Sequence, residues 1–363
     1  MPKLSIMTGP AAVLIGVLLA IAATEPSHPS AEDLRARGME LGFNLDHDEA
    51  VAAFKESIAA DPGNLAGYRL LAGALWSHAL FQRGAITTDD FVGENASAYR
   101  KSASDPELDR TAKELLRRAD ALSATIADGA TTSVDARYEV GAAYRLLSTL
   151  EGTIGGSQWR SLGAARRAYR EHSRLLSIAP QRADAALTVG LYRYLVSTMP
   201  AWSRLVALVA GLDSDRQAGT RLVEQTAAID GEMQASAMFS LIVIYNQQQR
   251  YDDAIAIIHR LQDRFPRNRL LWLEAACTGL RAGRAADARA SIEHGLAMLD
   301  SDPRPRAYGE LARWHYHYSI ALARLHQSEL AEQQLAAALQ GEALEWVRRA
   351  ARVELTTLAR QRR

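Results

Sequence analysis

A chain of 363 residues is too long for one small core and suits two domains or one elongated array. Hydrophobic residues make up 48% and charged residues 23%, the balance of an ordinary folded protein, and the formal net charge is zero. That neutrality argues against nucleic acid and anionic membranes as partners recognised by bulk charge, and the single cysteine, Cys277, excludes an intrachain disulfide and a thiolate metal cage.

The chain starts with Lys3 and the free amine, followed by an uninterrupted apolar run from Ala11 to Ala23 that Glu25, Pro26 and Pro29 break. Thirteen apolar residues suit a secretory signal better than a bilayer span, and Ala20-Ile21-Ala22 offers the small residues of a cleavage site. The expectation is a signal peptide over 1–23, a linker over 24–30, and an exported, periplasmic or secreted mature chain. An uncleaved inner-membrane anchor through 11–23 is the alternative.

From residue 31 onward the apolar residues recur at helical spacing in pairs of short runs. Segment 31–64 carries Leu34, Gly38 and Leu41, then Ala50, Phe54 and Ser57, and ends at Pro62. Segment 65–133 holds one helix over Tyr68 to Phe81 and another over Leu108 to Ala127, joined by a long polar loop. In 134–182, Gly141 and Tyr144 precede Ala168, His172, Leu175 and Pro180; in 183–234, Gly190 and Tyr194 precede Ala218. Both of these units carry about 15 extra residues between their helices, so they read as an elongated duplicate. Segment 235–268 is the clearest, with Met238, Leu241, Ile242 and Tyr245, then Ala254, Ile258, Leu261 and Pro266. Segment 269–311 repeats that frame 34 residues on, with Trp272, Ala275, Ala276, Ala288, Ile292 and Gly295. In 312–340, His315, Tyr318, Ser319 and Leu322 precede Ala331, Leu335 and Ala338. Residues 341–363 read as an Arg-rich amphipathic capping helix.

This pattern resembles the tetratricopeptide repeat family over about 31–340, tightly at 31–64 and 235–300. The middle, through Pro200-Ala201-Trp202, Gly211, Asp215-Arg216, Gly219 and the stretch from Tyr245 to Leu273, is similar to the eukaryotic inclusion-body-clearance group of tetratricopeptide-like proteins. The layout also resembles exported bacterial repeat proteins. The resemblance implies an all-α fold: a right-handed superhelix of about six helix pairs with elongated middle repeats, a concave binding face and no single ligand.

Catalytic signatures are missing: there is no Gly-Lys pair for a P-loop, and no H-E-x-x-H, C-x-x-C, G-x-G-x-x-G or G-x-S-x-G. The expectation is a protein that is not an enzyme and carries no cofactor or metal. Asp46-His47-Asp48-Glu49 reads as the cap of a second helix rather than a cation site. His315 and His317 lie two apart on a helix and point to different faces, against a metal site. Thr87 to Phe91 could cap a short helix or cover a ligand. The run Trp202 to Ala210, set off by Pro200, is too apolar for a free loop and is expected to pack on the stack's own face, narrowing the groove; a partner or membrane contact is the other option.

By the resemblance, the concave face takes Tyr138, Arg145, Tyr194, Phe239, Asn246, Arg281, Tyr316 and Arg324 as partner-binding residues. The places where family members clamp a C-terminal carboxylate are apolar here, so no such clamp is expected. The first expectation is therefore a scaffold or assembly factor binding a protein or peptide segment in an open groove. The second is a small-molecule or lipid carrier, or an enzyme or enzyme accessory, with a closed apolar pocket between the elongated middle repeats. The third is a membrane-tethered assembly factor.

Overall fold

The computed structural model describes residues 29–91, 105–131 and 133–361, so the apolar run at 11–23 lies outside the described residues. Every regular element among them is helical. The elements pair as α1 (Ala31–Phe43) with α2 (His47–Ala60), α3 (Leu65–Gln82) with α4 (Pro106–Ala127), and α5 (Val134–Leu150) with α6 (Gln158–Ile178). Next come α7 (Ala183–Thr198) with α9 (Arg216–Ala227), α10 (Gln234–Gln247) with α11 (Tyr251–Arg264), α12 (Leu270–Arg281) with α13 (Ala285–Ser301), and α14 (Glu310–Arg324) with α15 (Ser328–Leu339). The short α8 (Ala201–Val209) interrupts the fourth pair and α16 (Glu345–Gln361) closes the array. The described residues thus form seven pairs where about six were expected. None of these helices is long and apolar enough to cross a membrane.

Local chemistry sets the boundaries. Ser30 and Asp33 cap α1 reciprocally, Asn64 caps α3, and Asp105 caps α4 with Pro106 at its first position. Four hairpins turn through a left-handed residue just past the first helix: Leu45 (φ 68°), Gln249 (φ 59°), Gly283 (φ 76°) and His326 (φ 60°). Only one of the four uses glycine. Two pairs depend on glycine for close approach. A Cβ on Gly190 would lie 2.8 Å from the carbonyl oxygen of Gly219, and one on Gly141 would lie 2.1 Å from the His172 ring.

The extra residues of the two middle units take different forms. In the first they lengthen α5 and α6, which meet through a π-turn at Glu151–Gly155. In the second they form α8. The expectation that this segment packs on the stack's face is corrected: Ala207 is its one buried residue, while Trp202 (73% exposed), Leu205 and Val209 face out. Its apolar side was legible; the direction in which it points was not.

Asp46 also departs from expectation. It makes no side-chain cap on α2. Its buried carboxylate instead accepts from Arg267 and from Arg304 (2.9 Å). Around it the α1–α2 turn docks on the far half of the array. Phe43 stacks on Phe239 and packs against Phe265, and its carbonyl accepts from Asn268 (2.7 Å). The chain bends back on itself, so the interior of the superhelix is partly filled by its own N-terminal unit.

Candidate functional site

The segment after α3 enters that interior. Gly84 takes a left-handed φ of 84°, and a Cβ there would lie 2.4 Å from the Tyr308 carbonyl oxygen. Ala85 to Thr88 then run buried into a single 3-10 turn at Thr88–Phe91. Polar contacts to Arg313, Glu274 and Arg281 hold this strap. Asp90 accepts from Arg313 (2.7 Å), whose other nitrogen donates to the Thr87 hydroxyl (2.7 Å). The Thr88 amide and hydroxyl each donate to Glu274 at 2.7 Å. Asp89 pairs with Arg281. The strap occupies the inner face of α10, α12 and α14, so that face is not an open groove.

Between the strap and the middle helices a cavity of about 420 Å³ remains. Phe43 and Leu45 line it from the α1–α2 turn, Trp76, Leu80 and Phe81 from α3, Ala85 to Thr88 from the strap, Leu146 from α5, Phe239 and Val243 from α10, and Leu270 and Leu271 from α12. The wall is mostly apolar. Its polar members are Arg145, Thr149, Ser236, Ser240, Thr88, His47 and Glu274, among others. Glu274 accepts one hydrogen bond on each oxygen from Thr88, and burial raises its pKa. Burial pulls His47 down to about 3, with the stacked His78 adding to the shift, so it is neutral near pH 7.

Arg145 differs from these. Its guanidinium donates only to the Met233 sulfur (3.4 Å), a weak acceptor, and has no carboxylate partner among the described residues. Burial lowers its pKa, and nearby Arg69 acts in the same direction. Arg69 itself is paired with Glu139 (2.9 Å) and Glu232 (2.7 Å). The two local carboxylates are thus taken by Arg69, and Arg145 lines the cavity without an ion-pair partner among the described residues, an arrangement in which a buried charge is costly.

Of the eight concave residues read from the sequence, the fold brings Arg145 and Phe239 together on this cavity. Asn246 and Arg281 meet at a smaller hollow of about 110 Å³ beside Thr88 and Asp89. The other four lie apart. Tyr138 is buried against His172, its hydroxyl without a hydrogen-bond partner and its pKa raised by burial. Tyr194 donates to Gln247 (2.9 Å). Tyr316 packs edge-on to Trp346, and Arg324 donates to the Leu280 carbonyl. Sequence reasoning missed Phe43, Trp76 and Ile86, which reach the cavity across the superhelix. The Ala85-Ile86 pair beside Gly84, apolar in a polar stretch, was the available signal.

Cys277 and His317 sit 3.6 Å apart on α12 and α14. Burial pushes the thiol up, with Glu274 adding, and pushes the imidazole down to about 3, with Arg313 and Arg281 adding. At neutral pH the contact joins a thiol to a neutral imidazole, the reverse of an activated thiolate pair. His315 turns the other way, to Gln334 (2.7 Å).

No family model matches the chain, and no curated protein matches it in sequence. Among solved structures it is similar to a tetratricopeptide repeat protein from Parabacteroides merdae, with 14% identity and a TM-score of 0.34 over 92% of this chain and 100% of that one. It is similar also to the tetratricopeptide domain of P58(IPK), with 14% identity and a TM-score of 0.29 over 92% and 99%. A third is yeast Tom70, with 9% identity and a TM-score of 0.23 over 92% and 82%. At these scores the likeness carries no argument about activity or ligand. The structural neighbours of this chain are tetratricopeptide-repeat proteins, and what its own helices establish is an all-α array of helical hairpins.

Proposed function

We propose that the chain is a binding protein that receives a small anionic amphiphile, an apolar body carrying a carboxylate or similar acid, in its inner cavity. Helical-repeat arrays generally bind partners on their concave surface. Here that surface carries the strap, and the remaining cavity has the size and apolar lining of a small-molecule site. The observation that carries the reading is Arg145, a cation with no carboxylate partner among the described residues at the wall of an apolar cavity. An acid group against it would form a charge-assisted hydrogen bond while the apolar body covers Phe43, Trp76 and Phe239.

The test is calorimetric titration with dodecanoate and with dodecanol, on the chain and on Arg145→Met. The reading expects dodecanoate to bind at least about tenfold more tightly than the alcohol, a preference lost in the variant. Equal binding of both ligands, or none, overturns it. A protein captured from the cell envelope and lost on Arg281→Ala or Tyr316→Ala would instead favour a partner-segment scaffold.

The same reading sets the site of action outside the cytoplasm, on the strength of the positive start and the apolar run at 11–23. N-terminal sequencing of the mature protein checks this: a start near Ala23 or Thr24 supports export with cleavage, and an intact Met1 supports the anchored alternative.

A further inference from the structure

Helix α8 is turned outward. Trp202, Leu205, Val206 and Val209 follow the i, i+3, i+4, i+7 spacing of a single helical stripe, and all four are exposed. Ala207, on the opposite side, is the helix's contact with the body. A short amphipathic helix ordinarily buries such a stripe. This one holds it away from the core, between Pro200 and Gly211, whose φ of 83° turns the chain back toward α9. Leu195 and Met199, near the end of α7, are exposed as well.

The charge around α8 is of both signs, with Arg166, Arg193, Arg204 and Arg216 against Asp213 and Asp215. Arg204 lies on α8 itself, which has no acidic residue. Arg166 reaches from α6 to within 3.9 Å of where a Cβ on Gly211 would lie. Neither arginine has an ion-pair partner among the described residues. Of the nearby acids, Asp213 pairs with Arg193 (3.0 Å), and Asp215, still charged, accepts from the α9 amide of Ala218 (2.8 Å) next to Arg216. Zero net charge over the whole chain therefore conceals a locally basic edge.

We infer that α8 is a membrane-surface helix that lies in the headgroup region of an anionic bilayer. The apolar stripe with an indole at its start fits the interfacial zone, where tryptophan places its ring among acyl chains and its N–H in the wet headgroup layer. Arg166, exposed beside Gly211 at the helix's end, and Arg204, on the side of α8 away from the stripe, supply positive charge for lipid phosphates. The inference does not depend on what occupies the inner cavity.

The experiment uses the full chain with vesicles of phosphatidylcholine alone or with added phosphatidylglycerol, some carrying brominated acyl chains. Expected is fluorescence quenching in the anionic vesicles that Trp202→Phe removes, together with about a tenfold fall in sedimented protein for Leu205→Asp at low salt. Both changes sit on exposed side chains, and circular dichroism checks that the fold is kept. Quenching that Trp202→Phe leaves unchanged, or equal sedimentation of Leu205→Asp and the parent, overturns the inference. A dimer in analytical ultracentrifugation that Leu205→Asp dissociates, with no quenching by lipid, assigns the stripe to a second copy and also overturns it.

Discussion

Asp90 and Arg313 stand 223 residues apart in sequence and form an ion pair of 2.7 Å, both side chains almost wholly buried. Asp90 also accepts the backbone amides of Ile86 and Thr87 at 2.8 Å, so one carboxylate fixes the strap's path and its anchorage together. Asp90→Ala removes the carboxylate that buried Arg313 pairs with. The expected loss is about 3–5 kcal/mol in urea denaturation. Asp90→Asn keeps the acceptor for the amides and is expected to lose less.

Arg145→Met is expected to move stability the other way. It removes a desolvated cation that has no carboxylate partner among the described residues and puts an apolar side chain of similar length in the cavity wall. The ligand-free protein should gain stability by about 1 kcal/mol while losing preference for acids. Thermal melts with and without dodecanoate read both effects.

Gly190→Ala must push α7 from α9, because the new methyl meets the backbone of Gly219, which cannot rotate away. A cost of about 1–3 kcal/mol is expected. Gly163→Ala on α6, with nothing within 4 Å, is the control, expected to gain up to about 1 kcal/mol from helix propensity. Equal effects in the two variants would remove the packing argument.

At the hairpin turns, Gln249→Gly relieves a left-handed conformation that the equivalent Gly283 adopts without strain. A gain of about 1 kcal/mol is expected in thermal denaturation.

Acid should weaken the fold through buried imidazoles. Burial lowers His172 from its ordinary 6.5 to about 4, and His317 to about 3. Their contribution is complete above 6.5, where both folded and unfolded rings are neutral. It declines as pH falls from 6.5 toward 4, because only the unfolded chain takes up protons there. Urea midpoints measured across that window should fall with pH, and His317→Gln should flatten the slope.

The parts of the architecture that were legible rest on local patterns. Met238, Leu241 and Tyr245 recur at helical spacing, Ala254 and Ile258 follow after a short turn, and Pro266 stops the run. Those are α10 and α11, and the same frame carries into α12 and α13. The candidate cavity was only half legible. Arg145 and Phe239 come from helix positions with a defined inward direction. Phe43, Trp76 and Ile86 reach the cavity only because the chain bends back, and no periodicity encodes contacts between residues some 200 apart. Helix α8 failed for a different reason. Its apolar stripe was visible, but a stripe states which residues share a face and not whether that face has anything to cover.

The bond from Arg304 to Asp46 and the stacking of Phe43 on Phe239 join the first hairpin to the fifth and sixth. A linear array, in which each hairpin touches only its neighbours, can fray from its ends and stretch like a spring. This clasp converts the line into a loop. The terminal hairpin cannot melt alone, because its loss opens the interior as well, so the array should unfold in one concerted transition. Folding bears the corresponding burden: the clasp joins Asp46 to Arg304, 258 residues apart, and closing so long a loop carries an entropic cost that local hairpins avoid.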